Sequence, residues 1–123
     1  MEIRTSHLRY LLTIYELSQE RMDVGTADIA KAIDCSKASV THMMSNLMEL
    51  GLLVRERYGK IYLTDTGFLL ARDMFRAVTE LQERIPAMDL NLTDGEMSAL
   101  AHECVLLLPE RCLKKLAGRG REA

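Results

Sequence analysis

The sequence predicts a mostly α-helical protein in which three helices and one short β-hairpin precede a second, wholly helical half. Three observations carry this expectation. Apolar residues recur at helical spacing over most of the chain, a strand-like period appears only across residues 53–63, and Gly51, Pro86 and Pro109 stand where helical patterns stop.

The first helix is expected over residues 6–20, SHLRYLLTIYELSQE, where Leu8, Leu11, Leu12 and Tyr15 fall at i, i+3, i+4 and i+7 and Ser6 is the N-cap. After RMDVG, Thr26 is placed to cap TADIAKAI, whose Ala27, Ile29, Ala30 and Ile33 form an apolar face. DCS turns the chain. From Ser36 to Leu50, Val40, Met43, Met44, Leu47 and Leu50 make one stripe, with Lys37, Ser39, Thr41, His42 and Asn46 mainly away from it. Gly51 supplies the stop. The runs Leu53 to Glu56 and Lys60 to Leu63 then read as strands around a turn at Tyr58-Gly59.

A long helix follows from TDTG, with Phe68, Ala71, Met74 or Phe75, Val78, Leu81 and Ile85 inward, ended by Pro86. Thr93 and Glu96 form a capping box for the next helix, which runs through AHECVLL. Pro109 breaks it and opens a last short helix, PERCLKKLAG, and residues 119–123 are expected to be a mobile tail.

Composition narrows the function classes. With 123 residues, one compact unit or two interdependent halves fit. A hydrophobic content of 48% with 5% aromatics, no Trp and eight Met implies a core of aliphatic side chains and methionine. There is no leader-like opening and no apolar run approaching the ~20 residues of a membrane span. A soluble, cytoplasmic protein without membrane association is expected. The three cysteines, Cys35, Cys104 and Cys112, form no CxxC pair, so reduced thiols are the default. No GxSxG, HExxH, P-loop or Gly-rich dinucleotide loop is present, so no enzyme is expected.

A net charge of −2 gives no bulk reason for nucleic-acid binding. The local pattern does. Between Cys35 and Thr64, Lys37, Arg55, Arg57 and Lys60 face Glu49 and Glu56, an excess of two positive charges. Two short helices with a tight turn between them, the second starting with small polar and basic groups, match what a DNA-reading helix-turn-helix requires. Ser36, Lys37, Ala38, Ser39, Thr41 and His42 are short enough to let a backbone approach the major groove and polar enough to meet its edges. The hairpin would be a wing, with Arg55, Arg57, Tyr58 and Lys60 available to the phosphates. The alternatives are the solvated face of an ordinary helical protein, or a winged-helix protein-interaction module with Met43, Met44 and Met48 as a partner groove. Cys35 reads as a buried turn residue.

These stretches carry a resemblance. YLLTIYEL, then TADIAKAIDCSKASVTHMMSNLMELGLL, then YGKIYLTDTG followed by Ala71 resembles the diphtheria-toxin-repressor and manganese-transport-regulator family of metal-dependent transcriptional repressors, in its short two-domain form. The resemblance implies a winged helix-turn-helix DNA-binding domain over residues 1–67 and a helical dimerisation domain over 68–118. It further implies a homodimer on palindromic double-stranded operator DNA, with Ser36, Ala38 and His42 at base-proximal positions.

It also implies an activating Mn(II) or Fe(II), held between the first helix, the long helix and the helix after it. Such ions want carboxylates and imidazoles. The implied ligand positions carry Arg9, Leu12, Val78, Leu100, Glu103 and Cys104, of which only Glu103 and Cys104 are donors suited to a metal. His102 completes the run AHEC, yet at about 100° per residue it lies some 200° around the helix from Leu100 and faces elsewhere. Three readings follow: an Arg9–Glu103 ion pair in place of the metal; a relocated site of Glu103 and Cys104 with Glu96, Glu80 or His7, favouring zinc or ferrous iron; or thiol sensing by Cys104 or Cys112, in a thiol- or small-molecule-responsive regulator. The cofactor is thus a divalent Mn, Fe or Zn ion, or none.

Overall fold

In the computed structural model, which describes the backbone of residues 2–57 and 59–122 and side chains as far as Gly118, helical spacing becomes helix where the pattern predicts it. The order is α1 (Thr5–Glu20), α2 (Thr26–Ile33), α3 (Lys37–Glu49), β1 (Leu53–Arg55), β2 (Ile61–Leu63), α4 (Asp65–Arg84), a 3-10 turn (Ile85–Met88), α5 (Asp94–Leu107) and α6 (Glu110–Glu122). The chain divides within α4 into two compact units, residues 1–71 and 72–123. This is a small winged helix-turn-helix followed by a helical unit.

In the first unit α1, α2 and α3 touch pairwise and α3 also contacts β1. Leu11, Ile14, Ile29, Val40, Met44, Leu47 and Leu52 are all essentially buried there. At roughly 1.5–3 kcal/mol for each large apolar side chain removed from water, this cluster is the main term holding the three helices together. Truncating Met44 or Leu47 to Ala would cost about 2–5 kcal/mol. The buried face of α1 is wider than the expected stripe and takes in His7, Tyr10 and Ile14.

Two helix starts differ from expectation. Helix α1 begins before Ser6, because Arg4 is the extended N-cap and its backbone N–H donates to His7 Nδ1 at 2.9 Å. Thr26 lies inside α2. Its cap is Gly25, whose N–H donates to Asp28 Oδ2 at 2.9 Å, so the carboxylate ties off the first turn from within.

The other signals hold. Ser36 caps α3 by accepting the Ser39 N–H. At its far end Gly51 adopts φ +75°, Gly51 N–H reaches Met48 O and Leu52 N–H reaches Leu47 O, the two bonds of a Schellman stop. Strands β1 and β2 pair antiparallel with Leu53 opposite Leu63, Val54 opposite Tyr62 and Arg55 opposite Ile61. They are shorter than expected, although Glu56 N–H still donates to Lys60 O at 2.8 Å.

The hairpin is fastened to α4 by one hydroxyl. Thr64 Oγ1 donates to Gly51 O at 2.7 Å and accepts Gly67 N–H at 3.1 Å, capping α4 while bonding to the end of α3. Gly67 is required here because a Cβ would stand 2.1 Å from the Leu52 carbonyl oxygen.

The second unit buries Met74, Ala77, Val78, Ala101, Val105, Leu106, Leu113 and Ala117. Helix α4 stops at Arg84, just before Pro86 as expected, and a short 3-10 turn follows. Pro86 occupies the first turn of that 3-10 segment, where its missing N–H removes no bond. Thr93 and Glu96 form the expected capping box, with both bonds present at 2.9 and 3.1 Å. Helix α6 continues through Gly118 to Glu122, into the segment expected to be a tail.

Candidate nucleic-acid interface and metal positions

The turn between α2 and α3 sets the direction of the second helix. Asp34 closes α2 in the left-handed conformation, φ 64°, and Cys35 N–H donates to Ala30 O at 3.0 Å. One residue later Ser36 starts α3. The inward side of α3 is Val40, Met44 and Leu47, whereas Ser36, Lys37, Ala38, Ser39, Thr41 and His42 are all exposed. Burial of one stripe turns Ala38, Ser39, Thr41 and His42 away from it, while Ser36 and Lys37, at i−4 and i−3 from Val40, are open because the helix starts there.

Hydrogen bonding separates their roles. Ser36 Oγ accepts the Ser39 N–H at 3.1 Å and donates its proton to Ser39 Oγ at 2.9 Å. Ser36 is thereby committed to the helix. Ser39 receives that proton, so its own hydroxyl hydrogen is directed away from Ser36 and available as a donor.

On the hairpin Arg55, Arg57 and Lys60 are exposed, and Tyr58 lies outside the described residues. Lys60 Nζ sits 3.2 Å from Asp23 Oδ1, an exposed ion pair between the hairpin and the α1–α2 loop, and that carboxylate raises the Lys60 pKa above its ordinary value. Asp23 was not foreseen from sequence, since a lone Asp in a polar break gives no signal of a partner 37 residues on. At the base of the turn Tyr10 OH lies 3.3 Å from Cys35 Sγ, and burial, then the Cys35 contact, pushes the Tyr10 hydroxyl up to about 12. Cys35 is half-buried, more open than the buried turn residue expected.

The positions linked to a metal can be tested against the donors they present. Leu12 and Val78 are each 2% exposed and belong to the apolar interior. Arg9, half-buried on α1, is a permanent cation. On α5, Leu100 and Glu103 are exposed and Cys104 is half-buried. Glu103 and Cys104 are consecutive, so their Cβ directions diverge by about 100°.

The donors named for a relocated site are engaged locally. Glu96 Oε1 accepts the Thr93 N–H at 2.9 Å. Glu80, 9% exposed, receives Arg84 Nε at 2.7 Å. His7 accepts a backbone N–H at Nδ1, which puts its ring proton on Nε2 and leaves no free nitrogen lone pair. His102 Nδ1 lies 2.6 Å from Ser98 O on its own helix. Among the described residues, no group of three or more His, Cys, Asp or Glu is arranged to hold an ion. The side chains present do not fit a family-type metal site.

Comparison with known proteins bears on both halves. Residues 4–61 match the family model of the iron dependent repressor, N-terminal DNA binding domain. The structure of the manganese regulator SloR superposes with a TM-score of 0.73 at 22% identity, covering 100% of this chain and 56% of that one. The apo form of the manganese-activated repressor ScaR gives 0.65 at 26% identity, over 89% of this chain and 52% of that one. A hypothetical protein of Sulfolobus solfataricus gives 0.64 at 20% identity, over 98% and 92%. The chain thus spans about half the length of the two manganese regulators. A search of curated protein sequences gives no match. No helix among the described residues is long and apolar enough to cross a membrane. Residues 4–61 thus match an iron-dependent-repressor DNA-binding domain, and the fold of the chain is similar to that of the manganese regulators.

Proposed function

We propose that this chain is a transcriptional regulator, a repressor, that binds a palindromic operator in double-stranded DNA as a homodimer. The observation that carries the reading is the exposed start of α3. Six small, polar or basic side chains are exposed there, Ala38, Ser39, Thr41 and His42 turned away from the Val40, Met44 and Leu47 stripe and Ser36 and Lys37 in the open first turn, at the end of the helix that a helix-turn-helix presents to the major groove. Ser36 holds the helix start, Ala38 leaves room for close approach, and Ser39, Thr41 and His42 meet base edges. Lys37, Arg55 and Arg57 meet phosphates. Lys60 must exchange Asp23 for a phosphate or stay as a fastener of the hairpin.

The dimer is supported by the second unit's outer surface, where Leu107 is 72% exposed, Met88 64% and Leu90 51%. Apolar side chains this open are suited to a second copy of the chain. Half-sites would then lie about one helical turn apart, ~10 bp.

The test is fluorescence anisotropy with DNA from upstream of the chain's own gene, across a salt series. Lys37→Ala should lower affinity for all sequences alike and reduce the salt slope by about one unit per subunit. His42→Ala should flatten the preference for one base position by roughly 1–3 kcal/mol and leave the slope intact. Binding that ignores both substitutions removes α3 as the reading helix. Sedimentation should give a dimer, and Leu107→Glu should shift it to monomer.

A further inference from the structure

We infer that this regulator works without a resident metal ion, so that its DNA-binding form is a property of the polypeptide alone. The inference rests on the regulator reading above and deepens it. It starts from the mismatch between the family-type site and the side chains here. Leu12 and Val78, 2% exposed, are as buried as the cores of their own units. They are not vacated ligand places that a neighbouring donor can reach across; their methyl groups occupy the space. Hard and borderline divalent ions gain nothing from such neighbours and must shed water to approach them.

The charge balance acts the same way. A tight site for a divalent ion gathers two or more anionic or imidazole donors around it. Helix α1 offers instead Arg9, a guanidinium that stays charged at every accessible pH, one turn from Leu12. Recruiting the remaining donors elsewhere would carry a local penalty each time. Taking Glu96 opens the α5 capping box, taking Glu80 strands Arg84 Nε, and taking His7 releases the N–H at the start of α1. Of the six positions that the resemblance implies, only Glu103 and Cys104 carry donors suited to a metal.

A ligand that binds only the folded chain shifts the unfolding equilibrium about a hundredfold at a hundred times its Kd. That makes thermal unfolding a reading of metal binding that needs no DNA. Wild-type protein is stripped with EDTA, dialysed, and melted with zero to ten equivalents of Mn(II), Zn(II) or, without oxygen, Fe(II). Elemental analysis of the freshly purified protein runs alongside. The expected result is one melting temperature throughout and no stoichiometric ion. A saturable rise that levels off at one or two ions per chain and is reversed by EDTA overturns the inference, as does a stoichiometric ion in the purified protein. Anisotropy with and without EDTA is the second arm. Equal affinities support the inference, and affinity lost with EDTA and restored by one ion overturns it. Should no DNA be bound in either condition, the regulator reading fails, and the melting series still decides the metal question by itself.

Discussion

Gly67→Ala tests whether the hairpin is held as described. A Cβ on Gly67 would stand 2.1 Å from the Leu52 carbonyl oxygen and 3.0 Å from its carbon. Carbon and oxygen settle at roughly 3.3 Å or more, so α4 and the chain entering β1 would have to separate by about 1 Å. Both partners in that approach are backbone, which cannot swing aside as a side chain tip does. The same movement stretches Thr64 N–H to Leu52 O, now 3.2 Å, and the two bonds of Thr64 Oγ1 to Gly51 O and Gly67 N–H. Overpacking of this kind costs about 1–3 kcal/mol, and each weakened hydrogen bond about 0.5–1.5. Alanine's helix preference gives back at most about 1. The net expectation is a loss of about 2 kcal/mol. Gly118, on α6 with nothing within 4 Å of a Cβ, is the control, and Gly118→Ala should gain up to about 1 kcal/mol. Urea unfolding of both variants reads the two signs directly, provided the slope m is unchanged. Equal or higher stability for Gly67→Ala would refute the close approach and with it the account of how the hairpin is anchored.

Three further outcomes follow from single residues. Ser36→Ala should cost about 1 kcal/mol through the lost cap, whereas Ser36→Asp should keep the cap and yet weaken DNA binding by bringing a negative charge to the phosphates; urea unfolding and anisotropy separate the two. Asp34→Gly should raise the melting temperature by the equivalent of about 0.5–1 kcal/mol, because Asp34 holds φ 64°, which glycine adopts without strain. Tyr10, pushed up to about 12, keeps its proton longer when folded than when unfolded, where it titrates near ~10. Its contribution is therefore complete below pH ~10 and is lost as pH rises through the folded value, so melting temperatures between pH 9 and 12 should fall less steeply in Tyr10→Phe.

The elements were legible because their signals are local. Thr93 and Glu96 three residues apart, Gly51 after a helical stripe and a period change around Gly59 each reflect bonds made within a few residues, and all three appear as expected. Ser6 and Thr26 misled for the complementary reason. Any hydroxyl before an apolar run looks like a cap, and the choice of Arg4 and Gly25 instead depends on where His7 and Asp28 send their acceptors. Contacts spanning many residues left no trace in the pattern. Tyr10 with Cys35, Asp23 with Lys60 and Gly67 against Leu52 each join segments whose proximity exists only after folding.

The two candidate sites were legible in opposite ways. The α3 face could be read from spacing, since burying Val40, Met44 and Leu47 turns Ser39, Thr41 and His42 outward. A solvated helix face looks the same in sequence, and what distinguishes this one is the turn that precedes it and the family of its domain. The metal positions invert this. Leu12 and Val78 are ordinary core residues by pattern and by burial, and nothing local marks them as substitutions. They become informative only beside the metal positions that the resemblance implies, where an apolar residue means a donor withheld. Two buried methyl-bearing side chains and one arginine on α1 thus say more about the proposed regulator than the histidine, glutamate and cysteine that sit together on α5.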